Sequence, residues 1–143
     1  MHQGDCGTFV VTNLLVLATS TVVVVALWIQ ASESLLWPIL ASLYGLFQFC
    51  VVSVLFRTTF GDPGTLKKAD KWTSVPEVKS RELLVNKVLV ESKYCETCHI
   101  WRPPRASHCS DCNRCVLRFD HHCPWVANDV GRDNYKHFVL FLL

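Results

Sequence analysis

Basic residues are missing from the first 56 positions of this 143-residue chain, because all 14 Lys and Arg lie between Arg57 and Lys136. The formal net charge of +2 by itself favours no particular class of partner. The uneven distribution of charge is more informative. It divides the chain into an N-terminal part with very little charge and a mixed-charge part that begins at Arg57.

Charged residues are also absent from two long apolar stretches, residues 9–29 and 35–56. They contain 21 and 22 residues, and a helix needs about 20 apolar residues to cross the hydrocarbon core of a bilayer. We therefore predict two transmembrane helices joined by a turn over residues 30–34. A cleaved signal peptide is disfavoured, because residues 1–8 lack the usual basic residues and a signal peptide has an apolar region of only about 7–15 residues. A pair of buried helices in a soluble protein is the other interpretation.

The basic residues around these stretches predict their orientation. The second stretch is followed by Arg57, Lys67, Lys68 and Lys71. The connecting turn, in contrast, has Glu33 as its only charged residue. Cytoplasmic flanks of transmembrane helices carry the excess of Lys and Arg. Both the N-terminus and the part after Arg57 are therefore expected in the cytosol, where thiols stay reduced. Clustered cysteines in this compartment indicate metal ligands or nucleophiles rather than disulfides.

The spacing of a DNA-binding zinc finger, a cysteine pair followed by a histidine pair, is also absent. This absence, together with the predicted membrane location, argues against nucleic acid as a partner.

Six of the eight cysteines and four of the six histidines nevertheless lie between Cys95 and Cys123. C-x-x-C steps let a tight turn surround a tetrahedral zinc ion, and two closed sites need about eight ligands. The pattern predicts a segment folded by zinc. A set of ordinary buried cysteines is the weaker interpretation, because the segment has few large apolar residues. Cys95 and Cys98 form one C-x-x-C step, Cys109, Cys112 and Cys115 form two more, and His108 lies beside Cys109.

Residues 95–138, CETCHIWRPPRASHCSDCNRCVLRFDHHCPWVANDVGRDNYKHF, closely resemble the cysteine-rich domain of the DHHC protein S-acyltransferases, also called palmitoyltransferases. Asp62, Pro63 and Gly64 are similar to the short DPG motif of that family. The resemblance implies an integral membrane enzyme that takes a fatty acyl group from acyl-CoA onto its own cysteine. The acyl group would then pass to a membrane-proximal cysteine of a protein substrate, at the Golgi or endoplasmic reticulum membrane.

The resemblance also implies roles for individual residues. Cys123 would be the nucleophile, His121 the catalytic base, and Asp120 the carboxylate that orients His121. This division agrees with thiol chemistry, because only a thiolate attacks a thioester and an adjacent imidazole can take its proton. One implied zinc site consists of Cys95, Cys98, His108 and Cys115. The other consists of Cys109, Cys112, His122 and Asp129. His99 is a possible substitute for His108, but the family pattern selects His108.

The position of Asp129 departs from the family pattern, which has Asn-Asn-Cys where this chain has Ala127, Asn128 and Asp129. The cysteine that is replaced is a zinc ligand in the family. A carboxylate oxygen can bind zinc at about 2.0–2.2 Å. We expect Asp129 to take the place of the cysteine and to weaken or alter the second of the two zinc sites.

The expected fold is that of a mainly α membrane protein with a transmembrane helical hairpin, a cytosolic zinc-stabilised domain and the start of a third transmembrane helix. Family members have at least four spans, so the chain is expected to be a fragment. A non-catalytic zinc-binding membrane module or an inactive truncated fragment is therefore the alternative to an active enzyme. The predicted membrane part consists of a cytosolic N-terminus (1–8), helix 1 (9–29), a lumenal turn (30–34) and helix 2 (35–56). It is followed by a linker with the DPG motif (57–92), the cysteine-rich domain (93–137) and the truncated helix 3 (138–143).

Three partners are expected: acyl-CoA, a protein substrate and the lipid bilayer. By resemblance, Trp125 would lie close to the reacting thioester and the membrane face. Basic residues of the cysteine-rich segment could bind the CoA phosphates or lipid headgroups, and the sequence does not decide between these. They are Arg102, Arg105, Arg114, Arg118, Arg132 and Lys136. Residues 80–90 carry a short apolar pattern that is ambiguous between helix and strand.

Overall fold

The computed structural model describes residues 3–30, 36–69 and 75–143, with side chains described from residue 7 onward. The predicted turn over residues 30–34 lies outside the described residues except for Gln30. Lys71, which contributed to the predicted orientation, also lies outside them.

Two long helices, α1 (Gln3–Gln30) and α2 (Leu36–Phe60), contain the two uncharged stretches. Segments Gly7–Gln30 and Leu36–Phe60 are long and apolar enough to cross a membrane. In both helices, 6% of the most apolar 18-residue window is buried in the protein. A core helix of a soluble protein would be mostly buried, so this exposure disfavours the buried-helix interpretation.

The helices run antiparallel, because the ring of Phe9 near the start of α1 makes edge contact with the ring of Phe60 at the end of α2. Their ring centroids are 6.0 Å apart. Helix α2 continues past Phe56 and ends with a hydrogen bond from the Gly61 amide to the Arg57 carbonyl. A Cβ at Gly61 would clash with that carbonyl oxygen, so the sequence can end the helix in this way only with glycine.

A tight turn follows α2 and is held by Asp62. The Asp62 Oδ1 atom accepts hydrogen bonds from the amides of Gly64 and Thr65 at 3.0 and 2.8 Å. Burial opposes ionisation of this carboxyl group, but the hydrogen bonds hold the pKa of Asp62 below its ordinary value. Gly64 has a φ of +101°, which a residue with a side chain adopts only with strain. The turn directs the chain from the helix end to the cysteine-rich segment.

The segment after α2 is built from short antiparallel strands. Strands β1 (Ser80–Val85), β2 (Val88–Cys95) and β3 (Ile100–Trp101) form one sheet in sequential order. Asn86 and Lys87 join β1 to β2, and both have the positive φ that a two-residue hairpin turn requires. Residues 80–90, whose pattern was ambiguous between helix and strand, therefore belong to a β-hairpin. The expectation of a mainly α protein did not specify the strands that build this part of the chain.

Two further hairpins carry most of the cysteines and histidines. Strand β4 (Ser107–Cys109) pairs with β5 (Arg114–Val116), and β6 (His121–Cys123) pairs with β7 (Asn128–Val130). A third helix, α3 (Tyr135–Leu142), follows and packs against α2. The second hairpin therefore lies next to the adjoining ends of two helices.

The buried apolar side chains form two small clusters. One includes Leu55 of α2, Cys123, Val126 and Val130, and Phe138 and Phe141 of α3 pack against it. The other consists of Cys95, Cys98 and Cys115, with Leu66 and Ile100 packed around it. Cores of this size bury little apolar surface, and small domains of this kind usually need metals or other cross-links to fold.

Candidate metal clusters and reactive cysteine

The first group of candidate ligands is cluster A, which consists of Cys95, Cys98, His108 and Cys115. Strand β2 supplies Cys95 at its end, and His108 and Cys115 lie opposite each other in the β4–β5 hairpin. The Nδ1 atom of His108 lies 3.5 Å from the sulfur of Cys95, 3.4 Å from that of Cys98 and 3.7 Å from that of Cys115. The structure thus brings together the four residues expected for the first zinc site, with His108 rather than His99.

The spacing of these atoms fits a tetrahedral ion. With a zinc–sulfur distance of 2.3 Å and a zinc–nitrogen distance of 2.0–2.1 Å, a regular tetrahedron places sulfur and nitrogen about 3.6 Å apart. The three distances in cluster A lie within 0.2 Å of this value. Cys98 and Cys115 are fully buried, so four protein ligands can surround the ion completely. This is the arrangement of a structural rather than a catalytic zinc site.

The second group is cluster B, which consists of Cys109, Cys112, His122 and Asp129. His122 and Asp129 lie opposite each other in the β6–β7 hairpin. The His122 Nδ1 atom is 3.8 Å from the sulfur of Cys109 and 3.5 Å from that of Cys112, as in cluster A. It lies only 2.9 Å from Asp129 Oδ1, whereas a regular tetrahedron would separate nitrogen and oxygen ligands by about 3.4 Å.

The two clusters repeat one spacing, which the sequence analysis overlooked. In cluster A, Cys95 and Cys98 precede His108 by 13 and 10 residues, and Cys115 follows it by 7 residues. His122 shows the same separations of 13, 10 and 7 residues in cluster B. The spacing therefore assigns Asp129 to the position of Cys115 without any reference to a family. This signal was present in the sequence.

Burial and charge suit cluster B to a cation. Asp129 is fully buried. Burial opposes its ionisation, but hydrogen bonds from Cys109, Arg114 and His122 hold the pKa of Asp129 below its ordinary value. Burial, followed by the nearby Asp129, raises the pKa of Cys112 to about 12. A bound divalent ion would reverse this effect, because a coordinated thiol is deprotonated. The donor set therefore fits a metal ion.

Arg114 is a component of cluster B that the sequence analysis did not recognise. Its Nε atom donates to Asp129 Oδ2 at 2.8 Å, and its Nη2 atom donates to Asn128 Oδ1 at 2.6 Å. Nη2 also lies 3.7 Å from the sulfur of Cys112. The sequence analysis grouped Arg114 with possible phosphate-binding residues. Its role depends on the pairing of Arg114 with Cys109 across the β4–β5 hairpin, which the sequence does not reveal.

The two adjacent histidines have different neighbours because they lie on a strand. Successive side chains of a strand point to opposite faces. His122 therefore points into cluster B, while His121 and Cys123 share the other face of β6. The Nδ1 atom of His121 lies 3.1 Å from Asp120 Oδ2, and its ring makes edge contact with Phe138 at a centroid distance of 5.1 Å. This leaves the Nε2 atom of His121 as the candidate proton acceptor.

Cys123 belongs to neither metal cluster. It is 7% exposed and lies in the apolar cluster formed by the ends of α2 and α3 with the β6–β7 hairpin. Trp125 follows two residues later and is 57% exposed. The thiol therefore packs among apolar side chains of α2 and α3, on the strand face that it shares with His121.

Two asparagines attach this hairpin to the end of α2. The side-chain amide of Asn128 donates to the carbonyls of Thr58, Thr59 and Gly61 at 2.9–3.0 Å. The side-chain amide of Asn134 donates to the carbonyls of Thr58 and Asp129 at 3.2 and 2.8 Å. The last carbonyls of a helix have no partner within the helix. The hairpin satisfies them and thereby fixes Cys123 relative to α2. The sequence analysis assigned no role to these amides.

An arginine-lined cavity of about 280 Å³ opens beside Asp120. Arg105 and Arg118 contribute to its wall, and each has a positive φ. Arg132 also contributes and forms an ion pair with Asp133, in which Nε and Oδ1 are 2.8 Å apart. Three arginines and Asp120 line the cavity, so its lining carries a net positive charge that suits an anionic group.

Comparison with known proteins gives a consistent result. Residues 89–143 match the family model described as DHHC palmitoyltransferase. The chain is 41% identical over 160 residues to palmitoyltransferase ZDHHC18 of Rattus norvegicus, covering 100% of this chain and 41% of that protein. It is 41% identical to palmitoyltransferase ZDHHC14 of Danio rerio, and the match covers 100% of this chain and 31% of that protein. It is 39% identical to palmitoyltransferase ZDHHC9 of Bos taurus, with 96% and 42% covered. The chain thus spans less than half the length of each of these relatives.

Proposed function

We propose that this chain is a member of the DHHC palmitoyltransferase family and a protein S-acyltransferase that forms a thioester on Cys123. It would take a fatty acyl group from acyl-CoA and transfer it to a cysteine of a protein substrate. The observation that carries the proposal is the arrangement around Cys123. The thiol lies outside both metal clusters, shares a strand face with His121, and His121 is 3.1 Å from Asp120.

In the first step, His121 takes the proton of the Cys123 thiol through Nε2, and Asp120 stabilises the resulting imidazolium at Nδ1. The Cys123 thiolate attacks the carbonyl carbon of the acyl-CoA thioester. A new carbon–sulfur bond forms, the bond to CoA breaks, and the CoA thiolate takes the proton from His121. In the second step, His121 deprotonates the substrate cysteine, whose thiolate attacks the acyl group on Cys123. Cys123 then leaves as a thiolate and regains its proton.

The apolar surroundings of Cys123 support a membrane location for the acyl chain. Leu55, Phe138 and Phe141 lie in or against the cluster that contains Cys123. Each methylene removed from water contributes about 0.8 kcal/mol, so a long acyl chain is stabilised along the ends of α2 and α3. We propose that α1 and α2 span the bilayer and that residues 138–143 begin a third span. Residues 93–137 would then lie in the cytosol at a Golgi or endoplasmic reticulum membrane.

The arginine-lined cavity supports acyl-CoA as the acyl donor. Arg105, Arg118 and Arg132 line it together with Asp120. The phosphates of CoA would bind there while the thioester extends toward Cys123. A protein substrate would then present a cysteine close to the membrane surface, where it can reach the thioester on Cys123.

We further propose that zinc occupies both clusters and that its role is structural. The ligands would be the four residues of cluster A and the four of cluster B, including Asp129. Zinc would hold the two hairpins in register and would keep His122 away from Cys123. Asp120, His121 and Cys123 themselves would carry out the chemistry without a metal ligand among them.

The test is acyl labelling of the full chain in detergent with an acyl-CoA that carries a clickable chain. We expect hydroxylamine-sensitive label on the native chain and no label on Cys123→Ala. Cys50→Ala, which removes an exposed thiol of α2, is the matched control and is expected to keep the label. Label that persists in Cys123→Ala would overturn the proposal. The absence of label from a folded chain with two zinc ions would instead indicate a non-catalytic zinc-binding module.

A further inference from the structure

We propose that Arg114 is a positioning residue for the metal ion of cluster B. It holds Oδ2 of Asp129, so that Oδ1 alone is the metal-binding atom. The inference rests on the proposed metal ion in cluster B and concerns how the exceptional carboxylate ligand is kept in place. It does not depend on the acyl-transfer activity.

The two oxygens of Asp129 have different partners. Oδ1 faces the other ligands and lies 2.9 Å from His122 Nδ1. Oδ2 accepts a hydrogen bond from Arg114 Nε at 2.8 Å. The Asp129 side chain is fully buried, so Oδ2 depends on a protein donor for its hydrogen bond. A cysteine at this position would have a single donor atom and would not need this second partner.

The shape of the guanidinium group suits this role. Arg114 Nε bonds to Asp129, while Nη2 bonds to Asn128 and approaches the sulfur of Cys112 at 3.7 Å. A planar guanidinium can make these contacts at the same time, whereas a lysine ammonium has no fixed fork. Partners that hydrogen-bond to metal ligands fix the orientation of those ligands and influence the affinity for the metal. Arg114 therefore contacts two of the four ligands of cluster B.

The charges of the site point to the same role. Two thiolates and one carboxylate carry three negative charges, and a divalent ion neutralises two of them. The positive charge of Arg114 balances the third beside the fully buried carboxylate of Asp129, where an uncompensated charge is costly. An exposed ion pair of similar geometry exists between Arg132 and Asp133, with Nε and Oδ1 2.8 Å apart. This surface pair offers a matched control, because it is also an arginine–carboxylate ion pair but includes no residue of either metal cluster.

The experiment is a double-mutant cycle on the full chain in detergent, loaded with zinc. The variants are Arg114→Gln, Asp129→Cys and the two combined, with Arg132→Gln as the control. The measurements are the zinc content per chain and the rate at which a metallochromic chelator captures each ion. We expect Arg114→Gln to speed the release of one of two ions by about 10- to 100-fold. In the Asp129→Cys background the same change should have a much smaller effect, because no second oxygen remains to be held.

A cobalt-loaded chain supplies an independent readout. Native chain and Asp129→Cys should differ in their cobalt absorption spectra, because one ligand changes from oxygen to sulfur. Arg114→Gln should alter the native spectrum but not that of Asp129→Cys. Equal acceleration of zinc release by Arg114→Gln in both backgrounds would overturn the role of Arg114 and leave the metal site intact. A native chain that binds only one zinc ion would overturn the metal site of cluster B itself. Acyl labelling of Cys123 is measured separately, so each of these results can be told apart from a failure of the proposed thioester.

Discussion

Clusters A and B follow one plan and differ in a single ligand. In both, a C-x-x-C step and a histidine provide three ligands, and the fourth lies opposite that histidine in a hairpin. The fourth ligand is the sulfur of Cys115 in cluster A and a carboxylate oxygen of Asp129 in cluster B. The sulfur stands 3.7 Å from its histidine, whereas the oxygen stands 2.9 Å away. A thiolate offers the metal its only donor atom, whereas a buried carboxylate has a second oxygen, which here bonds to Arg114.

The comparison explains why the clusters are expected to contribute differently to the fold. Cluster A has three soft sulfur ligands at distances that fit a tetrahedral ion. Cluster B has two sulfurs and a harder oxygen, which lies closer to its histidine than a regular tetrahedron allows. Zinc in cluster B should therefore be held less tightly. Cluster B, however, takes two of its four ligands from the hairpin that carries His121 and Cys123, so a metal ion there should matter more directly for the position of Cys123, the proposed nucleophile.

The largest effect should come from Cys98→Ser in cluster A. Cys98 is fully buried, and structural zinc sites contribute apparent binding free energies of about 10–16 kcal/mol in zinc-finger peptides at pH 7. We expect the variant to lose the cluster A ion and the protease resistance of residues 75–143. Zinc analysis and limited proteolysis measure these two properties. Cys50→Ser is the control outside the clusters, and a Cys98→Ser chain with two ions and native resistance would contradict the expected dependence on cluster A.

A smaller effect is expected from Asp129→Asn in cluster B. The amide keeps the shape of the side chain but removes the charge that binds both the metal and Arg114. We expect zinc content to fall from two ions to one, while cluster A keeps its ion. Acyl labelling of Cys123 should decline because the β6–β7 hairpin loses its metal. Asp133→Asn, which removes an exposed carboxylate, should leave the zinc content unchanged. If Asp129→Asn retained two tightly bound ions, Asp129 would not be a ligand.

The smallest effect on the metal should come from Asn134→Ala, which tests the attachment to α2 rather than either cluster. Asn134 is buried and bonds to the carbonyls of Thr58 and Asp129 and to the amide of Gly131. Each buried group left without a partner costs about 1–3 kcal/mol. We expect a lower thermal stability and weaker labelling of Cys123, with both zinc ions retained.

Asn13→Ala is the control for this last prediction, because Asn13 bonds only to the carbonyl of Phe9 within α1 among the contacts described. Zinc content, thermal unfolding and acyl labelling are measured on the same preparations. Loss of the cluster B ion from Asn134→Ala would show that the cluster and its attachment to α2 behave as one unit. The comparison of the clusters would then have to include the end of α2.

Much of the metal chemistry was accessible from the sequence because it depends on residue type and short spacing. The C-x-x-C steps identified the cysteines, and the repeated separations of 13, 10 and 7 residues could have identified Asp129 as a ligand. The strand character of residues 80–90 was not accessible. Their apolar pattern is short, and the choice of strand depends on pairing between Leu84 and Leu89 and between Val85 and Val88 across the hairpin.

By itself, the sequence determined two uncharged stretches of membrane-spanning length and one segment that concentrates six of the eight cysteines, five of them in C-x-x-C steps. These properties follow from composition and from spacings of a few residues. Only the tertiary structure decided that Arg114 bonds to Asp129 and that Asn128 and Asn134 attach the β6–β7 hairpin to α2. These contacts join residues that hairpin register and helix docking bring together, up to 76 positions apart in the chain. The donors are therefore local features of the sequence, whereas their positions are set by packing.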